Sequence, residues 1–298
     1  MGKHRVALIR GDNRYANVSR ALQAIESDID LAGKRRVVVK PNFVSVRRSL
    51  AATHPDAVRA VLDFLQQKGV RKVTLAEGPA MGSFRRGLKN HNYSPLLEDY
   101  DLDIVDLNKD ETVDVGLYTR SMQPMRLPVA RTTVESDYRI SVGPPKTHDI
   151  AIVTLSLKNM AFGSLTGRKS RAHQGHKGIH MNLYKLAYHV APQLAVIDGF
   201  RAMEGNGPVG GSPVDWRMAV ASTDFVAADS LTAQLMGFDM EDVGYIYYCS
   251  LKGLGHGERA AMEIVGNARF EEVQRDFKPH RTYERQLHWH IPDFEQYL

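Results

Sequence analysis

Six short apolar runs, rich in Val, Ile and Leu, each end on a polar residue or at a Gly, Pro or Asn break. RVALIR (5–10) meets Gly11-Asp12, RRVVVK (35–40) meets Pro41-Asn42, and KVTLAE (72–77) meets Gly78-Pro79. YRISVG (138–143) meets Pro144-Pro145-Lys146, IVTLSLK (152–158) meets Asn159, and QLAVID (193–198) meets Gly199. Continuous apolar runs of this length, without polar alternation, match strands covered on both faces, as in parallel sheets. Helical patterns lie between them. Residues 55–68 carry Pro55 at a first helical position and Gly69 just past the end. Residues 83–90, 182–191, 224–236 and 241–252 are further helix candidates, the third starting near Thr223 as a cap and the last closed by Gly253. The alternation predicts an α/β fold: a largely parallel or mixed sheet covered by helices on both faces.

Residues 112–130 break the rhythm and read as a small hairpin insertion. The expected organisation is one α/β domain over 1–270. A polar tail, 271–298, is expected to pack on the surface or against a partner subunit, so a homo-oligomer is one expectation. The chain has 298 residues, 43% hydrophobic, enough for a sizeable core. Its net charge of +5 favours anionic partners. The Arg and Lys residues are scattered in pairs and not interleaved with aromatics, which argues against nucleic acid as the main partner. The first residues, MGKHRVALIRGD, read as a strand rather than a signal peptide, and no apolar run reaches about 18 residues. The expected location is therefore cytoplasmic, with no membrane contact. The one cysteine, Cys249, lies in an apolar helical pattern and reads as a packed thiol. One thiol cannot hold a self-contained iron–sulfur cluster.

In open parallel sheets, ligands bind beyond the carboxyl ends of the strands, where loops converge and helix N-termini point inward. Those ends supply Asp12, Lys40, Asn42, Glu77, Lys146, His148, Lys158, Asn159 and Asp198. Desolvating an ammonium is costly, so three lysines at strand ends call for a reason. The reading is that Lys40, Lys146 and Lys158 reach into a shared mouth filled by an anion, with Asn42, Asn159, Gly207 and Gly210 as further binding residues. Gly207 and Gly210 belong to EGNGPVGGSP (204–213), whose glycines permit tight turns near a ligand. The turn EGPAMGS (77–83) has the mechanics of an anion cradle, though it is neither a Walker loop nor GxGxxG.

His173, His176 and His180 recur at spacings of three and four, a metal-ligand pattern on a helix, although Gly175 and Gly178 are expected to interrupt a helix there. A divalent metal at these three is one expectation, with Glu77, Asp198 and Asp229 as carboxylates to complete it. Otherwise a histidine acts as general acid or base. The basic run 168–177 reads as a solvated loop or as a lid over an anion.

Taken in order, the motifs KPN (40–42), THP (53–55), EGP (77–79), PKTH (145–148), KN-x-x-FG (158–163), the histidine region 173–180, DG (198–199), EGNGP-x-G (204–210) and an acidic helix at Asp229 resemble the DUF362 family over roughly 35–266. The resemblance implies the same placement of polar motifs. It also implies an association with iron–sulfur clusters in many members, which this single-cysteine chain does not match. It implies no reaction.

The expected function is an enzyme acting on a small carboxylate or phosphate. Lysines bind the anion, Lys158 assists catalysis, and His148 or His176 moves a proton with Glu77 or Asp198 as orienting group or base. The alternatives are a metal-centred catalytic or redox protein and a nucleic-acid or partner binder using 168–177.

Overall fold

The structure, a computed structural model, describes residues 4–298. Among them are strands β1 (His4–Arg10), β2 (Val37–Lys40), β3 (Val73–Glu77), β4 (Leu102–Asp106), β5 (Thr112–Tyr118), β6 (Pro124–Ala130), β7 (Tyr138–Gly143), β8 (Lys146–His148), β9 (Ile152–Thr154), β10 (Leu194–Glu204), β11 (Ser212–Ser222) and β12 (Met262–Gly266). The α-helices are α1 (Arg14–Ala24), α2 (Pro55–Gln67), α3 (Phe84–Asn90), α4 (Ser94–Asp99), α5 (Arg131–Val134), α6 (Ser156–Ser164), α7 (Gly175–Val190), α8 (Phe225–Leu235), α9 (Gly244–Leu251), α10 (Phe270–Val273) and α11 (Tyr283–Gln286). The main sheet runs β12-β1-β11-β10-β7-β2-β3-β4, with β8 on β10 and β9 on β8. From β10 through β7, β2 and β3 to β4 every pairing is parallel. Only β11, antiparallel to both β10 and β1, reverses direction within the main path.

The uninterrupted apolar runs are explained by burial on both faces. Val6 and Leu8 of β1 join one core with Leu183 and Leu186 of α7 and Leu231 of α8. Ala7 and Ile9 join the opposite core with Leu22 of α1 and Val58, Val61 and Leu65 of α2. In β10, Ala195 and Ile197 belong to the first core and Leu194 and Val196 to the second. This is the period-2 alternation of a strand with an apolar environment on each side. The fold class is thus α/β with a mostly parallel sheet and helices on both faces, as expected.

Local signals place several elements where the sequence puts them. Helix α2 starts at Pro55, behind His54, whose imidazole accepts from the Asp56 amide, and it stops before Gly69 at φ +82. The hairpin β5–β6 forms a separate two-stranded sheet, joined to the segment after α6 by a single bridge, Val129 to Leu165. It is pinned to α7 by Asn182, whose side chain accepts from the Tyr118 amide at 2.8 Å and donates to the Tyr118 carbonyl at 2.9 Å. Helix α8 is capped by Asp224, which accepts from Ala227 N at 2.9 Å, and not by Thr223.

Two expectations are corrected. The run 152–158 is not one strand. β9 ends at Thr154, and Ser156 opens α6, all nine of whose residues are buried. A fully buried helix and a buried strand look alike in an apolar run. Nor do Gly175 and Gly178 interrupt α7, which begins at Gly175 and continues to Val190. Gly178 sits where a Cβ would meet the Gln174 side chain at 2.6 Å, so the missing side chain serves packing.

Helix α6 depends on a cap from far along the chain. The buried Asp229 carboxylate, on α8, accepts from Ser156 N at 2.8 Å, Leu157 N at 3.0 Å, the Ser156 hydroxyl and Tyr245 OH at 3.3 Å. These satisfy the orphan amides of the first turn and place a carboxylate at the positive end of the helix. Burial raises the Asp229 carboxyl to about 6, against the lowering effect of the bonds from Ser156 and Leu157. The tail is likewise tied down within the chain. Gln286, fully buried, donates to the His148 carbonyl at 2.8 Å and accepts from Ile152 N, while Thr282 donates to the Asp149 carbonyl at 2.7 Å. Ile152 has φ +63, a conformation rare for a β-branched residue, and the Gln286 contact holds it there.

Asp229→Ala leaves two buried amides and two hydroxyls without their acceptor. It is expected to lower stability by about 3 kcal/mol in reversible urea unfolding, and Asp229→Asn, which keeps one acceptor, by less. Equal, negligible losses in both variants would show that α6 does not need this carboxylate.

Candidate active site

The carboxyl ends of β2, β3 and β7 meet α6 in a buried polar layer. Lys40, the last residue of β2, is fully buried. Its ammonium donates to the Glu77 carboxylate, to Asn159 Oδ1 at 2.9 Å and to the Pro41 carbonyl at 3.0 Å. Burial lowers its pKa, and the Glu77 charge opposes that shift. Lys146, also fully buried, donates to Asn42 Oδ1 and to the Ala51 carbonyl at 3.3 Å. Burial pushes it down to about 7, the positive charges of Lys158 and Lys40 act in the same direction, and Glu77 opposes them.

Asn159 joins the layer. Its Oδ1 accepts from Lys40 and from Asn42 Nδ2 at 2.9 Å. Its Nδ2 donates to Ser141 Oγ at 2.9 Å and to the Lys40 carbonyl at 3.3 Å. Asn42 N donates to Thr53 Oγ1 at 2.7 Å, and that hydroxyl donates to the Val142 carbonyl at 2.8 Å. Every member thus has a partner, the condition for a buried polar network to be tolerated. Gly163 lets α6 come this close, because a Cβ there would lie 1.9 Å from Lys40 Cε.

Above this layer is a cavity of about 610 Å³, walled by the loops after β2, β3, β8 and β10, by α6 and by the tail. Lys158 lines it, is only 6% exposed, and rests over the Phe162 ring at 4.9 Å. Among the described residues no hydrogen bond or ion pair engages its ammonium. Burial pushes Lys158 down to about 8, with Asp149 opposing. Thr154 lines the same cavity, and its buried Oγ1 also lacks a hydrogen-bond partner among the described residues. Lys169 closes one wall by donating to the Phe162 and Gly163 carbonyls at 3.1 and 3.0 Å, and to that of Leu165, at the negative end of α6. Burial lowers it to about 7.

Two imidazoles stack in the wall, His148 and His173, with centroids 5.9 Å apart and planes 13° from parallel. His148 Nδ1 accepts from the Ile150 and Ala151 amides, both at 3.1 Å, so its ring proton is on Nε2. Asp149 Oδ1 lies 3.1 Å from the same Nδ1, a contact that becomes an ion pair only when the ring is protonated. Burial holds the His148 pKa well below the ordinary histidine value, so the ring is neutral, and Nδ1 is occupied by the two amide protons. His173 Nδ1 faces the Lys169 carbonyl at 3.1 Å and must donate to it, which leaves Nε2 with a free electron pair. Burial, then the Lys158 charge, lowers His173 to about 4.

The sequence-predicted residues divide. Asn42, Glu77, His148, Lys158, Asn159, Gly207 and Gly210 line the cavity. Lys40 and Lys146 do not; they lie in the layer that carries Asn42, Glu77 and Asn159. Gly207 is close to backbone, since a Cβ there would meet the Thr147 carbonyl oxygen at 2.0 Å. Asp198 is away from the cavity, paired with Arg14 Nε at 3.0 Å, so the expected catalytic carboxylate is an ion-pair partner instead. His176 faces the Ile150 carbonyl at 3.4 Å and does not line the cavity. His180 accepts from the Tyr245 amide at 3.1 Å and stacks on that ring.

The expected metal trio His173, His176 and His180 therefore does not converge, and Asp229 is spent on capping α6. Among the described residues, the ligand atoms that gather within 4.8 Å belong to His4, Asp224 and His256, none of which lines the cavity. Polar residues that line the cavity but were not predicted as sites are Asp149, Thr154, Lys169, Asn206, His280 and Arg281. Lys169 lies in the basic run noted in the sequence, and the last two lie in the tail. No spacing in the sequence ties the tail to the strand ends.

The family model described as a domain of unknown function, DUF362, matches residues 37–234. Thylakoid-associated protein sll1697 of Synechocystis sp. is 31% identical over 212 residues, 68% of this chain. The chain spans 64% of that relative's length. The lactate racemase apoprotein from Thermoanaerobacterium thermosaccharolyticum is similar in structure with a TM-score of 0.45 at 15% identity, over 64% of this chain and 50% of that one. The matched span holds Lys40, Glu77, His148, Lys158 and His173 but ends before His280 and Arg281. By the extent of that match and the identity to its relative, the chain belongs to the DUF362 family.

Proposed function

We propose that this chain is an enzyme that binds a small carboxylate or phosphate in the cavity and moves a proton on it. The observation that carries this reading is Lys158, only 6% exposed, whose ammonium opens on the cavity with no hydrogen-bond or ion-pair partner among the described residues. A largely buried cation with no bonded counter-charge is costly; Asp149 in the same wall offsets part of that cost without pairing, and an anionic ligand supplies a direct partner. Thr154 Oγ1 supplies a hydroxyl donor in the same cavity, and Arg281 adds a second positive group in the wall. Glu77 does not cancel this charge, because its carboxylate is engaged by Lys40.

The imidazoles suit proton transfer because their free nitrogens differ. Nε2 of His173 has a lone pair and acts as base; Nε2 of His148 has a proton and acts as hydrogen-bond donor to developing negative charge. His173 takes the part that the sequence reading assigned to His176. The histidines are kept neutral by burial and by the nearby lysine charges, so a base is present at pH 7. Lys169, the basic-run lysine in the cavity wall, is turned onto the end of α6, which disfavours a nucleic-acid role for that lysine.

Sulfate, which does not titrate near neutral pH, is a suitable probe. Lys158→Ala is expected to weaken sulfate binding at least about tenfold by calorimetry while leaving the melting temperature of the ligand-free chain unchanged or higher. Unfolding on this substitution would assign the lysine a structural role, and undiminished sulfate affinity would remove it from the site.

The pH dependence has a definite sign. Lys158 is charged below about 8, so sulfate binds best below that pH and loses affinity as the pH rises through 8 toward 10. In Lys158→Ala that step should be absent. A profile flat across this range in the unaltered protein would count against Lys158 as the anion's partner.

A further inference from the structure

We propose that Lys158 is also a covalent nucleophile, forming an imine with the carbonyl carbon of an aldehyde or 2-oxo acid whose anionic group the cavity holds. This rests on the reading of the cavity as an anion site and names the substrate class for it.

Four lysines lie in or under the cavity, and their surroundings differ. Lys40 donates to a carboxylate, an amide oxygen and a carbonyl; Lys146 to an amide oxygen and a carbonyl; Lys169 to three carbonyls. Each of those acceptors stabilises the protonated form and occupies the nitrogen. Lys158 is the exception among the described residues. Its nitrogen has only the Phe162 ring beneath it and open cavity beside it. An amine attacks a carbonyl through its unshared electron pair, so it must be deprotonated and unobstructed. Burial favours the neutral amine, and with a pKa near 8 about a tenth of the molecules hold free base at pH 7.

The step needs no oxidant or reductant. The Lys158 nitrogen forms a bond to the carbonyl carbon, the carbonyl π pair moves to oxygen, and the nitrogen becomes positive. His173 Nε2 removes a proton from that nitrogen and returns it to the oxygen, giving a neutral carbinolamine. The C–O bond then breaks with the nitrogen's remaining proton passing to the departing oxygen, so that one imine and one water result. The hydrogen bond from His173 Nδ1 to the Lys169 carbonyl holds this ring with its lone pair free. The hydroxyl of Thr154 and the side chain of Arg281 remain for the substrate's carboxylate or phosphate.

The test uses the full chain with pyruvate or glyoxylate and sodium cyanoborohydride, followed by peptide mass mapping. The expected result is one reduced adduct on Lys158, formed at least about tenfold faster than on exposed Lys72, suppressed by excess sulfate and faster at pH 8 than at pH 6. Lys158→Arg, which keeps the positive charge, should give no adduct at this position. Sulfate binding is measured in parallel by thermal shift. No adduct on Lys158 with either probe, in protein that still binds sulfate, overturns the imine and leaves the anion site standing. Failure to bind sulfate as well removes both. Labelling of Lys158 no faster than that of Lys72 likewise overturns the proposal.

Discussion

The cost of taking ammonium groups out of water is the constraint on which this molecule is built. Lys40 and Lys146 are fully buried at the ends of strands. The chain offsets the cost with one carboxylate and two amides placed to accept from them, Glu77, Asn42 and Asn159. Because these partners come from β3, from α6 and from the loop after β2, satisfying the charges also fixes how those elements meet. Breaking such a network by removing one partner leaves an uncompensated charge, which costs more than the network contributes when intact. The layer therefore forms a fully bonded floor beneath the cavity.

Helix α6 converts this floor into a site. Asp229 caps one end from a distance in sequence, Lys169 binds the carbonyls at the other end, and Gly163 gives up its side chain so that Lys40 can sit against the helix. With both ends and one face committed, Lys158 on the first turn is the group left over. Two requirements then coincide in one residue. The fold must bury it, since α6 is buried throughout, and nothing among the described residues pairs it. On the proposed reading, a ligand is the partner that completes this arrangement.

Much of this was legible in the sequence because it is local. The β-branched runs, Pro55 before α2, Gly69 after it and the hairpin at 112–130 all rest on short-range preferences, and the strand-end rule then located Asn42, Glu77 and His148. What escaped has a common physical origin in distance. The cap of α6 is supplied by a residue 73 positions away, so Ser156 carried no start signal and 152–158 read as one strand. The tail's Gln286 holds the His148 turn from 138 positions away, and His280 and Arg281 reach the cavity by the same route. The histidine spacing was real, since α7 is a helix, but His180 is turned into the core against Tyr245 while His173 precedes the helix and faces the cavity. Asp198 was chosen by position alone, and only the fold revealed that Arg14 claims it.

The central claim is that an anion completes the coordination of Lys158. It is tested most directly by the anomalous scattering of tungstate soaked into crystals of the protein. The account predicts an anion in the cavity within about 3.5 Å of Lys158 Nζ, with Thr154 Oγ1 as a second contact. Tungstate found only at the exposed arginines, with the Lys158 nitrogen bound to nothing or to a protein carboxylate, would contradict it.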